Sequence, residues 1–234
     1  MLNAVMAGKR RGTGLENQEQ ALGLAEGSED VLTSSVFERL GYLPDAILSG
    51  VLSQLIGEPF GPLLTMEFWP SWPLRGRSRV EPDVLLGDTR RQVVIEAKRH
   101  DHLRQQNARQ LADELLAGWQ SGILQGNCVL LALGGLDDPG KLGTQRLLDE
   151  VLGLIPKSAN LGFKLVCCTW QALYQSLENH INPDSPPGCQ RLLDDIARCY
   201  AWHGLRTHPM RWLGNLPALN ISNHPNAFAA WRMK

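Results

Sequence analysis

The stretch Val80-Glu81-Pro82-Asp83-Val84-Leu85-Leu86-Gly87-Asp88-Thr89-Arg90-Arg91-Gln92-Val93-Val94-Ile95-Glu96-Ala97-Lys98 holds two apolar runs separated by a short polar turn. Val80–Leu86 and Gln92–Ala97 read as strands and Gly87–Thr89 as a tight turn, which together predict a hairpin. Alternate residues of a strand share a face, so Glu96 and Lys98 project the same way. A short turn brings Asp83, on the neighbouring strand, beside Glu96. Val93, Val94 and Ile95 form the strand core, so these charges belong to the end of a buried element rather than to a wet face.

On the N-terminal side, apolar residues at Val31, Leu32, Val36, Phe37 and Leu40 follow the 3.6 period and predict a helix from Glu29 to Leu40. Ser28 is its expected N-cap, with Glu29 and Asp30 in a first turn that favours acids. A second helix is expected over Asp45–Ile56, then a strand over Leu63–Trp69 and a turn over Pro70–Arg79. On the C-terminal side the pattern predicts a helix over Arg104–Trp119, a strand over Asn127–Leu133, a helix over Leu142–Ile155, a strand over Phe163–Cys168 and a short helix over Trp170–Leu177. Asn182–Gly188, with three prolines, reads as a linker before a helix over Gln190–His203. Pro209–Lys234 has no assignable pattern. The expected fold class is therefore α/β, a mixed central sheet flanked by helices. Residues 1–27 are polar and expected to fray, 28–181 form the core, and 182–234 are a helical and irregular C-terminal extension suited to a partner or dimer contact.

The chain has 234 residues, 43% hydrophobic and 20% charged, with 23 Lys+Arg against 24 Asp+Glu. That excludes a disordered chain and a wholly basic tail, and the net charge of −1 means that any nucleic-acid surface must be local. No apolar run approaches the roughly 20 residues of a membrane helix. No apolar stretch follows the basic residues Lys9, Arg10 and Arg11, so a secretory signal is not expected. Cys128, Cys167, Cys168, Cys189 and Cys199 are odd in number and form no C-x-x-C pair, which suits reduced thiols in a cytoplasmic protein.

Two carboxylates and an amine at one strand end have a chemical use. Mg²⁺ is held by one or two carboxylates together with phosphate oxygens and water, and Asp83 and Glu96 are the candidate ligands. Lys98 is placed to position an attacking water or to stabilise charge developing on a phosphoryl group. Pro82-Asp83 followed after twelve residues by Glu96-Ala97-Lys98 resembles the PD-(D/E)XK motif of the restriction-endonuclease-like nucleases. The apolar run before Glu96 is similar to that superfamily's second motif strand. Glu29 matches its acidic residue on the first core helix, with Asp30 the alternative. Gln110 matches the glutamine on the helix after the lysine strand, and Gln106 is expected one turn earlier on the same face. The resemblance covers about Glu29 to Leu133. It implies a restriction-endonuclease-like core and Mg²⁺- or Mn²⁺-dependent hydrolysis of phosphodiesters in DNA, less often RNA, in roles such as bacterial defence or DNA repair. In these terms Asp83, Glu96 and Glu29 serve the metal, while Lys98 and Gln110 assist the chemistry. Some members bind without cutting, so a partner-dependent, nucleic-acid-binding subunit of a larger complex is the alternative, and an interaction protein with an accidental motif is a third.

Local charge bears on a polyanion partner. Between positions 75 and 109 stand nine basic residues (Arg75, Arg77, Arg79, Arg90, Arg91, Lys98, Arg99, Arg104, Arg109) against five acids (Glu81, Asp83, Asp88, Glu96, Asp101). Arg75, Arg77, Arg79, Arg99 and Arg104 are the candidate phosphate contacts, or else a solvated loop. Trp69 and Trp72 stand beside them, either to stack on bases or to fill a core. Gly135–Lys141 matches G-x-x-x-x-G-K, but Leu142 stands where a P-loop needs Ser or Thr, and Asp137 and Asp138 would repel phosphates. Cys189, Cys199, His203 and His208 lack zinc spacing. His100 and His102 read as a polar loop at a cleft rim. No G-x-S-x-G is present.

Overall fold

The computed structural model describes residues 29–208, except 127, 157, 158, 160 and the side chains of Arg77 and Ser78. The expected Ser28 cap, the N-terminal segment and the tail from position 209 lie outside the described residues. In chain order the elements are α1 (Glu29–Leu40), α2 (Asp45–Ile56), β1 (Thr65–Phe68), β2 (Trp72–Leu74), β3 (Arg77–Val80), β4 (Val84–Gly87), β5 (Gln92–Ala97), α3 (Ala108–Gln120), β6 (Cys128–Leu133), α4 (Lys141–Leu154), β7 (Phe163–Cys168), α5 (Trp170–His180) and α6 (Pro187–Trp202).

Five strands form one mixed sheet in the order β1-β4-β5-β6-β7. The β1–β4 and β4–β5 pairs are antiparallel, and β5–β6 and β6–β7 are parallel. The β4–β5 hairpin pairs Val84 with Ile95 and Gly87 with Gln92. The Asp88 carboxylate closes its turn by accepting the Arg90 and Arg91 N–H groups. β6 is buried along its whole length, as its unbroken apolar run requires.

The sheet separates two cores. On one side Val84, Leu86, Val93 and Ile95 meet Leu32, Val36, Phe37 and Leu40 of α1 together with α2, α5 and α6. On the other, Leu85, Val94 and Leu130 meet Leu111 and Leu115 of α3, Leu147 and Val151 of α4, and Trp72 and Leu74. The period of two that sends Leu85 and Val94 to the α3 side sends Asp83 and Glu96 there too. α6 lays Cys189, Leu193, Ile196 and Tyr200 into the first core, and the Tyr200 hydroxyl donates to the Trp170 carbonyl at 2.8 Å. α6, at the start of the C-terminal extension, thus completes the first core instead of hanging from it.

The structure revises three sequence expectations. The turn expected over Pro70–Arg79 contains the antiparallel β2–β3 hairpin, turned at Gly76 with φ +87°. Its Trp72 is buried against Gly118, where an added Cβ would lie 2.9 Å from the indole and 2.6 Å from Leu124. The strand expected from Val80 starts at Val84, because Pro82 has no N–H to offer a ladder. α3 starts at Ala108, not Arg104: the Asn107 side chain accepts the Arg109 and Gln110 N–H groups as an N-cap, and the Gln105 and Gln106 amides bond the Gly135 carbonyl instead. Among the described residues no helix is long and apolar enough to cross a membrane.

Candidate active site

The hairpin register sets Asp83 opposite Glu96 at the carboxyl end of β5. Asp83, on the bend that enters β4, is buried, and its two oxygens are separately engaged. Oδ2 accepts the Ala97 N–H at 2.8 Å and Oδ1 accepts the Trp69 indole N–H at 3.2 Å. Burial first, and then the charge of Glu96, push the Asp83 carboxyl well above the usual carboxylate range.

Glu96 is 1% exposed. Its Oε1 accepts the Lys98 ammonium at 2.6 Å and the Gln110 side-chain amide at 2.7 Å. Burial raises its pKa, and Lys98 works against that rise. Lys98 also donates to Glu29 Oε1 at 3.1 Å, while the second Glu29 oxygen accepts the Arg99 amide at 2.9 Å. Burial alone would lower the Lys98 pKa, but Glu96, Glu29 and Asp83 together push it above the ordinary lysine value, which favours the charged ammonium. The lysine backbone is held from behind: its carbonyl accepts the Trp170 indole N–H at 2.7 Å and its N–H bonds the Leu133 carbonyl. At the end of β6, Gly134 and Gly135 take φ +66° and +64°, and a Cβ on Gly135 would stand 2.5 Å from the Lys98 Cβ. Only glycine lets the two strand ends approach so closely.

The five predicted residues Asp83, Glu96, Lys98, Gln110 and Glu29 are therefore assembled in one cluster, with Glu29 joined to it through Lys98. Gln106 is not on the helix. It precedes the Asn107 cap, and its amide donates to the Glu96 and Gly134 carbonyls at 3.0 and 3.1 Å, bracing the two strand ends.

Two members of the cluster were not foreseen. Glu114, one turn after Gln110 on α3, is 1% exposed and in hydrogen-bonding contact with Gln110 and Glu96. Burial, then the charges of Glu96 and Asp83, push its carboxyl well above the usual range. Its sequence signal was a glutamate between the apolar residues Leu111 and Leu115, on the face that must meet the sheet. The other is Trp69, the only non-glycine residue with positive φ (48°) among the described residues. Trp69 and Trp72 are both buried, so neither offers a free face for a base. Trp69 instead holds Asp83 twice, by its indole N–H and by its backbone N–H to the Asp83 carbonyl at 3.0 Å. A bulky residue in the left-handed region marks a conformation that the surroundings enforce.

The predicted phosphate-binding arginines are dispersed. Arg75 and Arg79 are exposed on the β2–β3 hairpin, and the Arg77 side chain lies outside the described residues. Arg99 is half-buried beside Glu29. The Arg104 Nη2 donates to both Glu150 carboxylate oxygens, at 2.8 and 2.6 Å. In the Gly135–Lys141 loop, Asp137 pairs with Arg146 and Asp138 accepts the Gly140 N–H, so the acids brace the loop itself.

The donor set fits a hard divalent cation. Asp83, Glu96, Glu114 and Glu29 face the single ammonium of Lys98, and the buried Oε2 atoms of Glu96 and Glu114 meet no partner while both groups are ionised. Such an excess of buried negative charge is relieved either by protons or by a cation. Among the described residues no three His, Cys, Asp or Glu side chains are grouped to hold a metal by themselves. Mg²⁺ does not require such a cage, because one or two carboxylates, substrate phosphate and waters complete its shell.

Fold and site together define a mixed α/β protein with a buried carboxylate–lysine cluster at the carboxyl ends of its parallel strands. The chain belongs to the same family as Uncharacterized protein PM0110 of Pasteurella multocida (strain Pm70), to which it is 40% identical over 225 residues, 94% of this chain and 87% of that protein. No protein-family model matches the chain, and no solved structure matches it.

Proposed function

We propose that the protein is a PD-(D/E)XK-like phosphodiesterase that cuts nucleic acid, DNA before RNA, with Mg²⁺ or Mn²⁺ held by Asp83 and Glu96. The observation that carries this reading is the meeting of Asp83, Glu96 and Lys98 at one strand end, with Gln110 and Glu29 engaging the latter two. When bound, the metal supplies a lowered pKa for its water and polarisation of a phosphoryl oxygen.

The chain's own residues do the rest. Gln110 and Lys98 orient Glu96 through its Oε1, and Glu96 with Asp83 would hold the cation. Lys98 stays an ammonium at working pH, so it acts as a fixed cation toward the phosphate oxygens and not as a proton acceptor. Glu29 holds that ammonium in line. Trp69 fixes the Asp83 carboxyl group, and Glu114 backs Glu96 from α3.

The first test is metal removal. Purified protein should cut linear or supercoiled DNA in Mg²⁺ or Mn²⁺ and lose all cutting in EDTA. Cutting that survives the chelator rejects the metal reading. The near-complete burial of Asp83 and Glu96 favours one second reading, a subunit whose site opens only on a partner; it would show strand binding without cutting in either metal.

The support from Trp69 is separately measurable. Trp69→Phe keeps the ring and removes the N–H, and partners that orient a ligand are worth roughly 10–100-fold in metal affinity. Mn²⁺ affinity by calorimetry should fall by that order with unchanged far-UV circular dichroism. An unaltered affinity would remove Trp69 from the site.

A further inference from the structure

Beyond the cluster, the same edge of the sheet carries a cavity of about 550 Å³ between the loop that follows Lys98, the start of α5 and the segment after α6. It is tied to the cluster by the backbone. His100 stands two residues past Lys98, and its carbonyl is bonded by the Gly135 N–H. In open α/β sheets, ligands sit outside the carboxyl ends of the parallel strands, and that is where both features lie.

The chemistry of the lining is one-sided. The only carboxylate, Asp101, is turned inward: its oxygens accept the Trp170 and Gln171 amides at 2.7 and 3.2 Å. The lining also holds Arg206, His100 and His102, all exposed and all carrying N–H groups of the kind that donate to phosphate oxygens. Leu205 and Leu103, the latter 58% exposed, supply the apolar part of the lining. A guanidinium and two imidazoles beside an apolar wall suit a phosphate and the flat face of a base. The volume lies within the range of small-ligand pockets.

We propose that this cavity is a subsite for one unpaired nucleotide of the substrate strand, its phosphate on Arg206 and the two histidines and its base against Leu103 and Leu205. The assignment rests on the phosphodiesterase reading and narrows it: a base in a duplex is stacked and paired, so the subsite selects single strands or frayed ends over intact duplex.

The test uses the full chain, a fluorescein-labelled 12-nucleotide single-stranded DNA with Ca²⁺ in place of Mg²⁺ to hold back cutting, and Arg206→Glu and Leu205→Trp, the second filling the cavity. Both sites are at least partly exposed, and thermal melts confirm folding. Each variant should weaken strand binding about tenfold or more at low salt, and wild-type protein should prefer the strand to the blunt duplex. Mn²⁺-dependent hydrolysis of bis(p-nitrophenyl) phosphate, too small to need the subsite, should be unchanged. Unaltered strand affinity in both variants, no strand binding by wild type, or equal affinity for duplex overturns the subsite. Loss of strand affinity in variants of a wild type that hydrolyses neither substrate leaves the subsite standing and rejects the phosphodiesterase.

Discussion

Lys98→Ala should abolish metal-dependent cutting, with a loss of about 10²–10³-fold or more, the cost of removing one preorganised charge from a water-poor site. Its ammonium sits 2.6 Å from Glu96 and 3.1 Å from Glu29, and its side chain is only 15% exposed. The substitution removes the cluster's cation while leaving its acids in place. Breaking a buried pair costs on the order of 3–5 kcal/mol, and part of that is recovered when the acids take up protons. The variant should therefore melt lower than wild type at pH 8 and much closer to it at pH 5. Lys98→Arg should not restore cutting, because a planar fork does not fit where a compact ammonium bridges two carboxylates. Full activity in either variant would remove Lys98 from the chemistry.

Glu96→Gln is expected to end both cutting and Mn²⁺ binding while leaving the fold intact, since the amide is nearly isosteric and keeps an oxygen for Lys98 and Gln110. Its thermal signature follows from linkage. The folded-state pKa values of Asp83, Glu96 and Glu114 are all raised, chiefly by burial, above ordinary values of 3.8, 4.5 and 4.5. For acids raised on folding, the stabilising contribution is complete below the ordinary values and is lost as pH climbs through the raised ones. Wild-type stability in EDTA should thus fall as pH rises from about 4 toward neutrality. Glu96→Gln, with one fewer acid to ionise, should show a shallower fall in melting temperature. Added Mn²⁺ should offset the loss in wild type and not in the variant. A melting profile that rises with pH over that window, or retained cutting by the variant, would contradict the assignment of Glu96.

Much of the scaffold was legible along the chain. Glu29–Leu40, Asp45–Ile56, Gln92–Ala97 and Phe163–Cys168 have the bounds that their periodicity predicts, because each is bounded by local chemistry and carries an apolar pattern that one period explains. The β2–β3 hairpin was hidden because Pro70, Pro73 and Gly76 read as turn residues, and its burial against Gly118 is a contact with α3, far along the chain. The start of α3 was misread because Leu103 continues its apolar period, whereas the Asn107 side chain sets the true first turn.

Within the site, side-chain alternation and the hairpin determined by themselves that Asp83, Glu96 and Lys98 share one edge; this is short-range geometry, and the hydrophobic strand between them admits few registers. Whether an acid on a helix joins that edge depends instead on how α3 rolls against β5. Only tertiary packing could therefore bring Glu114 to Glu96, turn the Trp69 indole onto Asp83 and close a cavity between His100 and Arg206. Burial, the property that raises the carboxyl pKa values, is a sum over neighbours from separate parts of the chain, and no local pattern encodes that sum.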